Sequence, residues 1–114
     1  MPWGTIELEP EVEEWLLALP DERFGQVERY IDLLAERGVL LGEPFTRQLR
    51  GKLRELRFYL GRQQTRITYY VVANRRIVLL TVFGKTRQRE RAQVDRAWAA
   101  MERCIAEGHV EVGE

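Results

Sequence analysis

The chain has 114 residues, 45% of them hydrophobic and 32% charged, with acids and bases in equal number and a formal net charge of zero. That length fits one domain with one core. The single cysteine, Cys104, excludes an intrachain disulfide and fits a reducing cytoplasm, and no apolar run approaches the roughly 20 residues of a membrane span.

The zero is a balance of unlike segments. Residues 1–43 carry three arginines against eleven acids, net −8; residues 44–91 carry thirteen bases against two acids, net +11; residues 92–114 come to −3. A block of basic residues on one stretch of chain suits a polyanionic partner.

In chain order, Ile6 and Leu8 alternate with polar neighbours and predict a short strand over residues 3–9. The stretch over residues 1–15 is acidic and has no signal-peptide apolar region. Pro10 suits a helix start, and Val12, Trp15, Leu16 and Leu19 form a helical stripe. Glu11, Glu13 and Glu14 crowd its first turn, where acids complement the helix dipole. Pro20-Asp21 restarts a second helix to about Arg37, with Gly38 as its stop. Residues 39–50 read as a connecting segment.

Residues 53–59, 64–72 and 75–83 read as three strands, rich in β-branched and aromatic residues. Two-residue turns at Gly61-Arg62 and Ala73-Asn74 would join them. The first turn pairs Arg57 with Arg66, and the second pairs Arg66 with Thr81. Both arginines then share one face, off the core, where truncation should change stability little. Like charges directly opposite on a sheet repel. The pattern therefore suggests an anion between them, with solvation or pairing to Glu55 as the ordinary alternative. Residues 86–107 read as a last helix with Val94, Trp98 (or Ala97), Met101 and Ile105 on its packed stripe. Arg87, Arg89 and Arg91 crowd its start, against the dipole. The expected architecture is a two-layer α+β domain over residues 1–107, in the order β-α-α-β-β-β-α. Its mainly antiparallel four-stranded sheet would be covered by helices on one face, and a polar tail would fill residues 108–114. His109, in that tail, receives no role.

Glu55-Leu56-Arg57, Arg66-Ile67-x-Tyr69, Ile77-Val78-Leu79-Leu80 and Phe83-x-Lys85 occur in an order and spacing that resembles the RelE/ParE toxin superfamily of bacterial toxin–antitoxin systems. Leu33-x-x-x-x-Gly38 and Pro44…Leu49-x-Gly51 match it too, and the likeness is greatest to its HigB-like, phage-derived branch. Where many relatives have Lys-Lys after the last-strand Phe, this chain has Gly84-Lys85-Thr86. The resemblance implies the toxin of a type II system, a ribosome-dependent mRNA endonuclease acting in the cytoplasm without metal or other cofactor. The 2′-hydroxyl beside the scissile phosphate would attack it. Arg57 and Arg66 would hold that phosphate and Lys85 would assist proton transfer. Arg54, Arg87, Arg89, Tyr70 and Phe83 would contact the message or ribosomal RNA. The implied partners are mRNA in the ribosomal A site, ribosomal RNA and a cognate antitoxin, a helix-turn-helix repressor; no membrane is implied. A ParE-like gyrase inhibitor and a non-catalytic binding module of the same fold are the rival readings. The chain has no GxxxxGK[ST] loop, CxxC pair or histidine cluster, which leaves nucleotide hydrolysis and metal chemistry without a motif.

Overall fold

The computed structural model describes residues 2–85 and 90–108. Five strands build one sheet: β1 (Thr5–Leu8), β2 (Thr46–Arg50), β3 (Leu53–Leu60), β4 (Gln63–Val72) and β5 (Arg76–Gly84). They lie in the order β1-β5-β4-β3-β2. β1 runs parallel to β5, and every other neighbouring pair is antiparallel. Three α-helices accompany the sheet: α1 (Pro10–Leu17), α2 (Asp21–Arg37) and α3 (Glu90–Ala106). The architecture is α+β, as the patterning indicates.

The sheet has one more strand than expected. β2 falls in the segment read as a connection, because Thr46-Arg47-Gln48-Leu49-Arg50 carries almost no apolar alternation. As an edge strand it leaves most of its side chains in water. Its anchor is Thr46, buried, whose hydroxyl donates to the Leu41 carbonyl at 2.5 Å.

The β3–β4 hairpin has the expected register. Leu60 pairs with Gln63 and Arg57 with Arg66, across a turn in which Gly61 takes φ +64°, a region other residues enter reluctantly. The next connection is one residue longer than expected. It spans Ala73–Arg75, with Asn74 and Arg75 both at positive φ. Val72 therefore pairs with Arg76 rather than Arg75, and with one further shift along the strand Arg66 faces Phe83 rather than Thr81. A bulge then shifts the register: Thr68 pairs with Thr81, but Tyr69 pairs with Leu79. Leu80 is the extra residue.

The longer connection explains a second departure, because it brings Val78 opposite Tyr70 and so puts Val78 and Leu80 on the face of Tyr70. α1 and α2 cover one sheet face, packing Val12, Leu16, Val27, Ile31 and Leu34 on Leu56, Phe58, Ile67, Ile77 and Leu79. α3 does not join them. Its Ala97, Met101 and Cys104 pack on Leu53, Tyr70, Val78 and Leu80, residues of opposite parity, so α3 lies on the other face and the helices flank the sheet from both sides. At the end of α2, Gly38 combines φ +53° with a close approach of Trp3, whose ring would sit 2.1 Å from any Cβ there.

α1 and α3 meet at the free edge of β5. Beyond the reach of β1, the Val82 amide donates to Glu11 Oε2 at 3.0 Å. Arg96 Nη2 donates to the Val82 carbonyl at 3.3 Å, and Arg96 Nη1 bonds Glu11 Oε1. The ion pair thus satisfies backbone groups that a further strand would otherwise take.

Candidate functional site

α3 covers only part of its sheet face. The cross-strand register lays out the remainder in rows. The first row is Arg47, Glu55, Thr68 and Thr81. The second is Arg57, Arg66 and Phe83. The third begins with Tyr59 and Gln64 and extends to Lys85, whose amide donates to the Gln64 carbonyl at 2.7 Å.

The two arginines meet as their registers require, and the anion between them is a carboxylate. Glu55 Oε2 lies 3.4 Å from Arg66 Nε and 3.7 Å from Arg57 Nε. Glu55 was not among the residues the sequence assigned to the site. Its parity with Arg57 on β3 is the signal that points to it, and pairing with Glu55 was the ordinary alternative to a bound anion. Arg47 is likewise a site neighbour that the sequence reading left out. It pairs directly with Glu55 across the β2–β3 ladder and its charge favours the Glu55 carboxylate.

The two arginines differ in burial. The Arg57 side chain is 28% exposed, whereas Arg66 is 5% exposed, which corrects the expectation that both sit free of the packed interior. Arg66 also donates from Nη1 to the Thr65 carbonyl and from Nη2 to Gln64 Oε1, each at 3.3 Å. Behind the pair, the Thr68 and Thr81 hydroxyls bond at 2.6 Å and the Thr81 amide donates to Thr68 Oγ1 at 3.1 Å. These threonines fill the row that the β5 bulge distorts.

The electrostatics are strained in a useful way. Burial holds the Glu55 carboxyl above the usual carboxylate range, with Arg66, then Arg57 and Arg47, pulling it back and Glu90 pushing it up. Burial likewise lowers Arg66 from the usual guanidinium value, opposed by Glu55. Glu55 Oε1 and Arg57 Nε are buried without a hydrogen-bond partner. Such groups are costly in isolation; a bound anion can accept from Arg57 Nε and a bound hydroxyl can donate to Glu55 Oε1.

The other sequence-assigned residues divide. Phe83 stands beside Arg66 on the site face, largely buried. Lys85 lies at the end of that face, with Nζ 3.5 Å from Glu90 Oε1. Arg54 is not brought to the site. It alternates onto the opposite face, where Nη2 donates to Thr46 Oγ1 at 3.1 Å and Nε to Tyr69 Oη at 3.4 Å. Tyr70 is not brought there either: it is 1% exposed beneath α3, where burial and the adjacent Cys104 thiol raise its phenol well above the usual range. Arg87 and Arg89 lie outside the described residues. Among the described residues no group of three or more His, Cys, Asp or Glu could hold a metal ion, and no helix is long and apolar enough to cross a membrane.

An open groove of about 310 Å³ leads off the arginines, between Phe45, Phe58, Tyr59 and Tyr30. It passes the part of β3 that β2 does not reach. Tyr30 and Phe58 stack at its side, ring centroids 4.9 Å apart.

Residues 14–102 match the family model described as phage derived protein Gp49-like. The chain belongs to that family. The Gp49-like chain also has the fold of RelE toxins. It is similar to the RelE of an archaeal RelE–RelB complex from Pyrococcus horikoshii OT3, with TM-score 0.54 and 23% identity over 76% of this chain and 99% of that one. It is similar to an arginine-to-alanine double mutant of E. coli toxin RelE in the free state, with TM-score 0.60 and 17% identity over 90% and 98%. The toxin–antitoxin complex RelBE2 from Mycobacterium tuberculosis is also similar, with TM-score 0.56 and 17% identity over 75% and 100%. No curated protein matches the sequence. The resemblance drawn from Glu55-Leu56-Arg57 and its companion motifs is met in both the family and the fold.

Proposed function

We propose that this protein is the toxin of a type II toxin–antitoxin pair and that it cleaves mRNA on the ribosome. One observation carries the reading: Arg57 and Arg66 pair across β3 and β4 on one sheet face, beside the patch that α3 packs on. Two guanidiniums side by side fit a phosphate and can follow the charge that develops on its oxygens.

In this mechanism the scissile phosphate lies against Arg57 and Arg66. The adjacent 2′-hydroxyl attacks phosphorus, the bond to the 5′-oxygen breaks, and a 2′,3′-cyclic phosphate and a 5′-hydroxyl result. Glu55, between the two guanidiniums on this face, is the carboxylate assigned to take the 2′-hydroxyl proton. Its free Oε1 gives the hydroxyl a partner. Lys85, at the end of the same face, supplies the proton to the leaving oxygen. Arg87 and Arg89 keep the role the sequence resemblance implies for them, contact with message and ribosomal RNA, and Phe83 stands beside Arg66. The cytoplasm is the compartment. Two of the structural relatives are complexes of RelE with an antitoxin, which supports a cognate antitoxin here. A helix-turn-helix repressor is the form the sequence resemblance implies.

The test is to map message 5′ ends after incubating purified protein with mRNA, with and without translating ribosomes. Wild type should produce new ends only with ribosomes. Arg57→Ala should lose about 100- to 1000-fold in rate, the usual effect of removing one transition-state donor. Ends that appear at the same rate with Arg57→Ala and with Arg66→Lys would remove the nuclease site from this face. DNA breaks without message cleavage would favour gyrase inhibition instead.

A further inference from the structure

The groove beside the arginines does not end there. A second depression of about 400 Å³ shares Tyr30 and Tyr59 with it and continues to Gln26, Arg29 and Gly61. Arg23 closes its far end: a Cβ on Gly61 would come within 2.6 Å of Arg23 Nη1. The result is one trough running from Arg57 and Arg66 along the free edge of β3 to the sheet-facing side of α2. From Arg57 to Gly61 it spans about 13 Å of strand at ~3.3 Å per residue.

Its chemistry is ordered along its length. Arginines stand at the start. Phe45 at the groove wall and Tyr59, 61% exposed, present aromatic surface in the middle. Arg29 and Arg23 stand at the end, exposed, and neither has an ion pair among the described residues. Among the described residues no carboxylate lines either depression. That absence is selective, because α2 is rich in acids: Asp32 and Glu36 line a separate depression with Pro2. A cationic groove with aromatic platforms is the arrangement that holds single-stranded nucleic acid, rings stacking on bases and arginines tracking phosphates.

We propose that this trough is a track for the RNA strand flanking the cleaved phosphate, with Tyr59 and Phe45 as base platforms and Arg29 with Arg23 as a second phosphate clamp. The proposal rests on the reading of Arg57 and Arg66 as the scissile-phosphate site. It deepens that reading by giving the substrate a direction: over the β3 edge and onto α2.

The experiment measures affinity for 2′-O-methyl RNA, which cannot be cleaved, as a dinucleotide and as a hexanucleotide, over a range of salt. Wild type should bind the hexanucleotide more tightly. Tyr59→Ala should reduce that length-dependent gain by at least about fivefold, the low end for losing a base stack, and Tyr59→Phe should restore it. The double variant Arg23→Ala/Arg29→Ala should reduce the gain and lower the salt slope by about 0.7 for each phosphate no longer neutralised. Arg103→Ala, on the exposed surface of α3, should keep the full gain and so controls for net charge. Wild type without a length-dependent gain, or a gain that survives both trough variants, overturns the track. A gain that survives while binding of a poly-glutamate peptide is abolished overturns it as well and assigns the trough to an acidic protein segment. Failure of the underlying site reads differently: Arg57→Ala would then bind the dinucleotide as tightly as wild type.

Discussion

The same three strands make two different surfaces on one face of the sheet. Toward one end Leu53, Tyr70, Val78 and Leu80 form an apolar patch sealed by α3. Two residues further along β3 and β4, and just past the bulge on β5, the surface is Glu55, Thr68 and Thr81, then Arg57, Arg66 and Phe83. The bulge at Leu80 marks the boundary. It lets Leu80 face α3 and the next residue, Thr81, face Thr68 on the same side, which strict alternation forbids. The comparison teaches that the site is held in place by the packed half beside it, with Glu55 and Arg66 buried and Arg57 reaching toward solvent. α3 fixes the strands and stops short of the arginines.

Four perturbations sharpen or break this division. The largest effect is expected at Arg66, the buried cation of the polar half. Arg66→Ala leaves Glu55 in the interior with the more distant Arg57 and Arg47, and removing one partner of a buried pair costs about 3–5 kcal/mol. Chemical denaturation should show that loss alongside the loss of cleavage. Arg66→Ala with unchanged stability would mean that the Glu55–Arg66 pair is solvated.

Leu80→Ala comes next. It empties part of the α3 patch, where a Leu→Ala change typically costs about 2–5 kcal/mol. The same denaturation measurement checks it, with message cleavage read at temperatures where the variant stays folded. Activity per folded molecule should hold, since Leu80 does not reach the arginines. A loss of activity in the folded variant would show that the two halves are one mechanical unit.

Arg57→Ala should separate function from stability. Its side chain is partly exposed and its approach to Glu55 is the longer one, so its melting temperature should fall less than that of Arg66→Ala while cleavage falls about 100- to 1000-fold. Equal melting losses for the two arginines would erase the distinction drawn from their burial.

The smallest effect is a pH dependence at Glu55. Its folded-state pKa is raised above 4.5, so between 4.5 and that raised value the folded state binds the proton more tightly than the unfolded state. Stability from this group is fully present below the unfolded value and is lost as pH rises through the folded value. Wild type should therefore gain stability relative to Glu55→Gln as pH falls toward 4.5 and level off below it. Thermal melts of both proteins across that window decide the sign; a difference that shrinks as pH falls would mean that the arginines outweigh burial.

Much of this was legible from residue order alone. The β3–β4 hairpin follows from Gly61 and the alternation around it, and with it the Arg57–Arg66 pair. β2 was illegible because an edge strand of Thr, Arg and Gln buries too little to leave a period-two signature. The side taken by α3 was illegible for a different reason. The third residue of the Ala73–Arg75 connection moves Val78 and Leu80 to the face of Tyr70, and nothing in Ile-Val-Leu-Leu-Thr-Val marks the bulge that keeps Thr81 on the face of Thr68. Arg54 and Tyr70 were assigned by chemistry and resemblance, and their neighbours on the strands send them elsewhere. Glu55 was visible on the right face. Its importance emerged only when its carboxylate was found occupying the space between two guanidiniums.

The Glu11–Arg96 pair on Val82 has a consequence for how the molecule behaves among copies of itself. An uncovered sheet edge is adhesive, and charges laid across it act as a guard. Here the guard and the fastening of α3 are the same two side chains. Lifting the start of α3 would therefore bare an edge for strand pairing in the same event, so any partner that pries this helix loose must also chaperone what it exposes.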